Sequence, residues 1–547
     1  MTAPRGYAPE IERILAGLEP EERTLAVEAY ERAAADGGNV YQDPSFRATA
    51  MKVCVDKARR ALRPIREVSD RLAISLADGV ANPPNARKEG PSRHLTDDGN
   101  ALRLVDRHLG DLRHVHEWGW LWYDGSRWNR DATHEVMRRA RGTVRVIYDE
   151  ARNAPDSDRS KIGAHAVKSE CAASLRAMVE LAKSDARVQA RPEDFDRDPW
   201  LLNVANGTVD LRTGTLRPHR REDLITKLAP VAYDPEATCP RWQRFLNEVM
   251  DGNDRLVDYL GRAVGCSLAG IVREQVLMLC YGTGHNGKTT FLMTLKAVLG
   301  DYGHQASPAL FLAHKNAGGP RDGIAQLCGV RLVVAVEPEE GRRLNVGLVK
   351  WLTGGDTLRG QFMYKDSFEF QPTHTPWLAA NHRPTIPETT EGIWRRIHLV
   401  PFVVSFKGRE DRELLSALLE ELPGILAWAV RGCLEWQRIW LAPPDEVSAA
   451  TREYREEEDT FGEFIRAWCA LEPDARVPAG ELRAAYVRWC DEAGEAAESA
   501  KAVSERLKRD LGCKPGKGSK RPWAGIRLRS AEETQMRQES EHGGAAP

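Results

Sequence analysis

The fold is decided by residues 275–300, which read QVLMLCYGTGHNGKTTFLMTLKAVLG. The apolar run at the start predicts a buried strand, and the apolar spacing at the end predicts a helix. A glycine-rich turn lies between them, and its permissive backbone lets N–H groups converge on an anion beside the positive end of the helix dipole. The stretch therefore predicts a loop that binds the phosphates of ATP. The residues predicted to contact ATP are Gly282, Thr283, Gly284, His285, Asn286, Gly287, Lys288, Thr289 and Thr290.

Two side chains of this loop predict its chemistry. Lys288 would reach the β- and γ-phosphates, and the Thr289 hydroxyl would bind Mg²⁺. ATP and Mg²⁺ are therefore the predicted cofactors, and Lys288 is a predicted catalytic residue. The alternative is a purely structural glycine-rich turn, which does not account for the strand and helix on either side.

A second apolar run, RLVVAVEPEEG at 331–341, predicts a buried parallel strand that ends in acidic residues. Ligands bind at the carboxyl ends of such strands, so Glu337 is predicted to hold Mg²⁺ together with Thr289. Glu339 or Glu340 would polarise the attacking water. The alternative is a strand that ends in a solvated acidic turn.

Two further strands carry polar residues at their ends. THTPWLAANHRP ends a strand at Asn381, whose amide would orient the water, although a simple Asn-His turn is the alternative. EGIWRRIHLVPF places Arg395 and Arg396 just before another strand. A guanidinium stabilises charge on a transferring phosphoryl group, and in a ring one of this pair would reach the neighbouring subunit's site. The alternative for the arginines is a surface pair.

Composition sets outer limits on function. The chain has 547 residues, and 78 basic against 80 acidic residues give a net charge of −2, so any DNA binding must come from local patches. No apolar run is long enough for a membrane span and the N-terminus has no signal pattern, which together predict a cytoplasmic protein without membrane partners. The ten cysteines include no CxxC pair, so neither a disulfide framework nor a zinc cluster is indicated.

The region before the loop predicts both strands and helices. HEWGWLWYDGSRW predicts short strands around a turn at Asp124-Gly125, and residues 134–154 and 158–184 predict helices. LLNVANGTVDLRTGTLRPH predicts hairpins. The tryptophans of this region would form either a base-stacking face or, as the residue types favour, the packed core of a small sheet. They are Trp118, Trp120, Trp122 and Trp128.

The C-terminal part predicts three helices followed by a two-stranded wing. Between residues 501 and 529 the sequence holds ten basic and two acidic residues, an excess of eight. Positive charge on this order of elements indicates a winged helix that binds a DNA backbone, although a basic module for protein contacts is the alternative. The predicted DNA contacts here are Lys514, Lys517, Lys520 and Arg521.

Taken together, these motifs resemble the superfamily 3 helicases of the AAA+ class, and most of all the helicase half of phage, plasmid and poxvirus primase–helicases. The resemblance covers about 95–530. It matches Lys288 and Thr289 to Walker A, Glu337 to Walker B, Asn381 to sensor 1 and Arg395 or Arg396 to the arginine finger. Many members have two adjacent Walker B acids, whereas Pro338 separates them here, which leaves the catalytic base open. A further family motif matches Lys350, Thr353, Gly354, Gly355 and Asp356.

The resemblance implies an α/β fold with a P-loop ATPase core of AAA+ type, an α+β N-terminal domain and a C-terminal winged-helix domain. It also implies that LRGQFMYKDSFEFQP is a hairpin whose Lys365 contacts DNA, although a solvated hairpin tip is equally compatible with the residues. The expected segments are a helical segment at 1–81, a linker at 82–95, the α+β domain at 96–240, the ATPase domain at 241–445, the winged helix at 455–530 and a disordered tail at 531–547.

The implied function is a hexameric, Mg²⁺-ATP-driven DNA helicase that moves 3′ to 5′ on single-stranded and forked DNA. It would replicate a phage or mobile element in the bacterial cytoplasm. Residues 1–95 show no Asp-x-Asp pair for two metals, so we expect no priming domain and a separate primase or other replisome proteins as partners. Two alternatives remain: an ATP-dependent replication initiator that binds an origin, and an NTP-regulated scaffold without translocation.

Overall fold

The computed structural model describes residues 27, 55, 94–313, 321–336, 341–362, 366–386, 388, 390–493, 497–516, 521–530 and 532–533. The chain forms two compact units, Met1–Ser92 and Arg93–Pro547. In the first unit Val27 and Val55 are helical and Val55 is buried. The rest of the predicted segment at 1–81, and most of the predicted linker and tail, lie outside the described residues. None of the helices described is both long enough and apolar enough to cross a membrane.

The second unit begins with a small antiparallel sheet and four helices, three of which share a hydrophobic core with the sheet. Its elements are α1 (Asp97–His108), β1 (Leu112–Val115), β2 (Gly119–Tyr123), β3 (Trp128–Arg130), α2 (Glu135–Asn153), α3 (Asp156–Ser169) and α4 (Ala172–Ala182). The predicted turn at Asp124 is confirmed, since its carboxylate accepts hydrogen bonds from the backbone N–H of Ser126 and Arg127. The helical prediction over 158–184 is confirmed: α3 and α4 cover most of this stretch, and Cys171 caps the second of these helices.

The tryptophans of this sheet belong mainly to its core. Trp120 and Trp128 are buried. Trp118 and Trp122 are half-buried and lie under the guanidinium groups of other chain segments. The core interpretation is therefore confirmed for the two buried rings.

A second antiparallel sheet follows, made of β4 (Leu201–Val204), β5 (Gly207–Asp210) and β6 (Thr215–Arg217). Both predicted hairpins are present. Buried residues of this sheet, such as Leu202 and Val209, share one hydrophobic core with Phe291 and Trp377 of the following region. Packing therefore continues across residue 240, where the sequence predicts a domain boundary.

The following region alternates strands and helices, as the sequence predicts. Its elements are α5 (Pro240–Val249), α6 (Asp254–Leu268), β7 (Leu277–Tyr281), α7 (Lys288–Leu299), β8 (Gly303–Gln305), α8 (Arg321–Ala325), β9 (Leu332–Val336), α9 (Val346–Gly354), β10 (Leu358–Gln361), β11 (Ser367–Phe370), β12 (Thr375–Ala380), α10 (Glu391–Trp394), β13 (Ile397–Pro401), α11 (Leu414–Glu420), α12 (Leu422–Ile439) and α13 (Asp445–Glu457).

Five of these strands form a parallel sheet in the order β13-β7-β12-β9-β8. Both faces are covered, as is usual for parallel sheets. In the central strand β12, Trp377 and Ala379 face one core, whereas Leu378 and Ala380 face another. The α/β prediction is confirmed, and the carboxyl ends of all five strands meet at one edge.

The edge strand β13 is covered by α13. The backbone N–H of Leu399 donates a hydrogen bond of 3.0 Å to the Thr451 hydroxyl of that helix. Such coverage satisfies a backbone group that would otherwise be open for pairing with another strand.

The predicted hairpin after the TGGD motif is present as the antiparallel pair β10–β11. Phe362 and Phe368 stack beside its tip, with ring centroids 5.7 Å apart. Lys365 lies outside the described residues, so its DNA contact stays a prediction.

The C-terminal part has its own hydrophobic core, which includes Phe464, Tyr486 and Trp523. Three helices and a hairpin occur in the predicted order, and β15 adds a third strand to the hairpin. The elements are α14 (Thr460–Trp468), β14 (Cys469–Ala470), β15 (Arg476–Pro478), α15 (Ala479–Ala493), α16 (Ala500–Arg509), β16 (Lys514–Pro515), β17 (Pro522–Ala524) and β18 (Arg527–Leu528).

Helices α6 and α12 pack closely because each has a glycine at the contact. A Cβ built on Gly265 would lie 2.1 Å from the backbone nitrogen of Cys433, and one on Gly432 would lie 2.0 Å from the carbonyl oxygen of Gly261. Since backbone atoms form both contacts, a side-chain adjustment cannot relieve them.

We predict that Gly265→Ala destabilises the protein by about 1–3 kcal/mol, because the two helices must move apart. The matched control is Gly163→Ala in α3, where a Cβ meets nothing within 4 Å. It should stabilise by roughly 0.5–1 kcal/mol through the lower backbone entropy of alanine. Chemical denaturation of both variants measures the difference, and equal midpoints would contradict the close packing.

Candidate nucleotide-binding site

The glycine-rich loop connects the carboxyl end of β7 to the first residue of α7. Its backbone enters the left-handed region at Gly284 (φ 100°), His285 (φ 50°) and Gly287 (φ 81°). At Gly282 the constraint is space, because a Cβ would lie 2.1 Å from the Asn286 side-chain nitrogen and 2.2 Å from the Phe402 carbonyl oxygen. Glycine is therefore favoured at 284 and 287 by the backbone conformation and at 282 by the lack of space for a Cβ.

Asn286 fixes the loop to the chain that leaves β13. Its side-chain nitrogen donates a hydrogen bond of 3.0 Å to the Phe402 carbonyl oxygen, and the residue is buried. The backbone N–H of Phe406 donates to the carbonyl oxygen of His285 at 2.7 Å. Two hydrogen bonds thus attach the loop to the chain that follows β13. No local sequence signal identifies Phe402 as its partner.

Lys288 is buried, and its ammonium donates to oxygen atoms from three different places. These are the Gly282 carbonyl oxygen at 2.7 Å, the Asn286 amide oxygen at 2.7 Å and the Asn381 amide oxygen at 3.0 Å. Burial raises the pKa of the nearby Cys280 thiol to about 12, so that thiol remains neutral. Three neutral oxygens thus contact the cation.

Asn381 reaches Lys288 because β12 lies next to β7 in the sheet. Ala380 pairs with Tyr281, so the residues that follow both strands emerge side by side. The structure thereby brings together the predicted loop lysine and the predicted sensor asparagine. Their roles in hydrolysis stay predictions.

The described residues fit a nucleotide phosphate. A lysine more than nine-tenths buried stands at a helix N-terminus, inside a loop of left-handed backbone, which is how proteins hold phosphate. Thr289 is exposed on the first turn of the same helix, where its hydroxyl is free to reach a metal. Glu337 and Glu339 lie outside the described residues. Val336, just before them, pairs with Ala379 of β12.

The two arginines lie at the end of the sheet where the strands begin, whereas Lys288 lies at the end where they finish. Ile397, which follows them, pairs with Leu277 at the start of β7, whereas the loop follows the end of β7. A strand of this length spans roughly 15 Å. The structure therefore does not bring either arginine to Lys288 within one chain.

The arginines also differ from each other. Arg396 is buried and donates hydrogen bonds to the Gly392 carbonyl oxygen and, at 3.5 Å, to the Gln275 side chain. Burial, and next the charge of Arg395, lower the pKa of Arg396. Arg395 is exposed. Arg396 is thus held by contacts within the chain and Arg395 is open to solvent, a difference that the sequence does not show.

The additional family motif lies near the arginines. Gln275 donates to the carbonyl oxygen of Gly354 at 3.0 Å, and Thr353 is buried. Lys350 pairs with Glu388 at 2.6 Å. Burial alone would raise the pKa of Glu388, but the hydrogen bond from Lys350 lowers it. This motif therefore lies at the end of the sheet where the strands begin, opposite the glycine-rich loop.

Of the predicted DNA contacts, Lys514 and Arg521 are exposed on either side of the C-terminal hairpin. Lys517 and Lys520 lie outside the described residues. The hairpin geometry is present, and DNA binding by it stays a prediction.

Part of this chain is similar to known proteins. Residues 101–251 match the family model described as D5 N terminal like. "Putative helicase L207/L206" of Acanthamoeba polyphaga mimivirus is 26% identical over 50% of this chain and 31% of that protein. "Putative helicase 022R" of Frog virus 3 (isolate Goorha) is 26% identical over 54% of this chain and 39% of that protein.

A third relative, "Putative primase C962R" of African swine fever virus (isolate Tick/Malawi/Lil 20-1/1983), is 23% identical over 54% of this chain and 34% of that protein. The chain thus spans about a third of the length of these relatives. Among solved structures, the C-terminal region of NrS-1 aligns at a TM-score of 0.39 and 10% identity over 76% of this chain and 96% of that chain. About half of the chain is therefore similar to proteins of large DNA viruses that are named helicase or primase.

We predict that Asn286→Ala loosens the loop. It leaves the Phe402 carbonyl and one Lys288 proton without their partners, which should reduce the unfolding free energy by about 1–3 kcal/mol and weaken nucleotide binding. Asn247→Ala, the same substitution at an exposed position of α5, is the control. Denaturation and titration with a fluorescent ATP analogue measure the two effects. Wild-type behaviour of the Asn286 variant would show that the contact does not hold the loop.

Proposed function

We propose that the protein is a Mg²⁺-dependent ATPase that acts as a DNA helicase in the replication of a virus or mobile element. The observation that carries the proposal is the buried Lys288 ammonium, held between the glycine-rich loop and Asn381 at the carboxyl edge of the sheet. The similarity to viral proteins named helicase supports DNA as the substrate. The fold of the core would be of the AAA+ type.

In this proposal the loop N–H groups and Lys288 hold the phosphates, and Thr289 and Glu337 hold the metal. Bound Mg²⁺ would supply positive charge to the phosphoryl group that is transferred. Glu339 or Glu340 would accept the proton of the attacking water. Asn381, whose amide already points at Lys288, would orient that water.

The position of the arginines supports an ATP site shared between subunits. Arg395 is exposed at the far edge of the sheet, so it would serve the site of a neighbour in a ring, proposed to be a hexamer. Buried Arg396 would not leave its position. We therefore assign the arginine finger to Arg395.

The proposed substrate is single-stranded or forked DNA, along which the protein would move 3′ to 5′. Lys365 of the β10–β11 hairpin would contact the strand, and the C-terminal part would bind the DNA backbone as a winged helix. Its helix order, hairpin and exposed Lys514 and Arg521 support this assignment. Priming would fall to a separate protein, and we propose the host cytoplasm as the place of action.

The second candidate is an ATP-dependent replication initiator. The basic C-terminal hairpin favours it, because a winged helix can also read a duplex sequence. An initiator would prefer one duplex sequence even at high salt. A scaffold without translocation would hydrolyse ATP and unwind nothing.

We predict that Lys288→Ala lowers DNA-stimulated ATP hydrolysis by about 100-fold or more, because it removes the charge that faces the phosphates. Unwinding of a forked duplex should be lost with it. Lys296→Ala, on the same helix, is the control. If the wild-type protein hydrolyses ATP but does not unwind the forked duplex, the initiator or the scaffold is favoured. A wild-type protein that neither forms rings with ATP nor hydrolyses it faster with single-stranded DNA would refute the helicase proposal.

Mixing two inactive variants tests the shared site. Lys288→Ala and Arg395→Ala should each be inactive, whereas an equal mixture should recover roughly a quarter of wild-type hydrolysis, the fraction of interfaces that pair two intact halves at random. Arg396→Ala should instead lower stability. If mixed rings form and remain inactive, Arg395 does not act in the neighbour's site.

A further inference from the structure

Arg383 links the nucleotide-binding edge of the sheet to α13. Its guanidinium lies 5.0 Å from the ring centre of Tyr281, the last residue of β7 before the loop. It lies 5.2 Å from the ring of Tyr454 and forms an ion pair with Glu457, both on α13. Arg383 follows Asn381 by two residues and therefore belongs to the same segment of chain.

The chain after Arg383 is attached to the same helix by two more contacts. The Tyr454 hydroxyl donates a hydrogen bond to the carbonyl oxygen of Pro384, and this tyrosine is fully buried. The backbone N–H of Ile386 donates to the Glu458 carboxylate at 2.8 Å. The end of α13 therefore holds the segment that follows Asn381.

The next carboxylate continues the connection into the C-terminal part. Asp459 caps α14 by accepting the N–H of Gly462 at 2.9 Å. It also pairs at 2.5 Å with Arg506 of α16, which in turn pairs with Glu498 at 2.8 Å. Arg506 is buried. A charged contact thus joins α13 to the third helix of the C-terminal part.

Next to this connection, a cleft lies between the C-terminal part and the α/β region. A cleft of about 920 Å³ separates α10 and α13 from α14 and α16, and exposed Arg452 and Arg466 are among the residues that line it. Open space next to a short charged junction allows the C-terminal part to tilt about the junction without disturbing a packed core.

Three successive carboxylates therefore have three different partners. Glu457 pairs with Arg383, Glu458 accepts from the backbone after Asn381, and Asp459 pairs with Arg506. The first two lie on the side of the nucleotide site and the third on the side of the C-terminal part. A shift of the Asn381 segment would move the end of α13 and, through Asp459, α16.

We infer that the Glu457–Glu458–Asp459 junction couples ATP binding at Lys288 to the DNA affinity of the C-terminal part, and that Arg383 is the positioning residue that makes this coupling. The inference rests on the proposed binding of both ATP and DNA. Coupling of two binding equilibria is reciprocal, so ATP must change DNA affinity by the same factor as DNA changes ATP affinity.

The experiment measures both affinities in the full-length protein. A non-hydrolysable ATP analogue with Mg²⁺ and a labelled single-stranded or duplex oligonucleotide are titrated separately and together. The expected result for wild type is an equal change of both dissociation constants, by about five-fold or more. In Arg383→Ala and in the milder Glu457→Gln, the factor should fall towards one, while each ligand alone binds within about two-fold of wild type.

Arg212→Ala is the matched control, because Arg212 also combines a carboxylate partner, Asp198, with a ring contact to Trp200. It should keep the wild-type coupling. If neither ligand binds wild type, the proposed function itself fails. If both bind with a factor of one, only the coupling is refuted. If wild type is coupled and both junction variants keep the full factor, the coupling does not run through Arg383.

Discussion

The buried charge of Lys288 is the interaction on which the rest of the site depends. An isolated ammonium is strongly disfavoured inside a protein, so its oxygen partners must be in place whenever the core is folded. One partner, Asn381, comes from a different strand, which couples the loop to the pairing of β12 with β7. Since a slip of one residue would turn every side chain of the strand to the other face, the charge and the two cores specify the same register.

The local parts of this arrangement could be predicted from sequence. The loop, the apolar strands and the hairpins have signals within a few residues of one another, and all of these elements are present. The helical character of 158–184 could be predicted as well, but the break between its two helices at Cys171 could not, because helical periodicity alone does not show it. The contact from Asn286 to Phe402 and the different burial of Arg395 and Arg396 could not be predicted, because each depends on strand order between residues far apart in the chain.

The similarity to the D5 N terminal like family reaches into the site itself. The matched residues end at 251 and include α5, whose Phe245 and Val249 pack directly against Gly287 of the loop. The sheet β4–β6, in the same matched stretch, shares its core with the central sheet. The segment that precedes the loop in sequence thus supports it in space, and removing it would expose the underside of the glycine-rich loop.

The covered edge of β13 bears on how copies of the chain can associate. The Thr451 hydroxyl occupies a backbone N–H that strand addition would need, and the sheet's opposite edge is the three-residue strand β8. Continuous sheets between copies are disfavoured at both edges. In the proposed ring, contacts at this sheet would then be made by side chains, which separate and re-form far more readily than a hydrogen-bonded ladder. Such a ring would be able to change its interfaces one at a time while every subunit keeps its own fold.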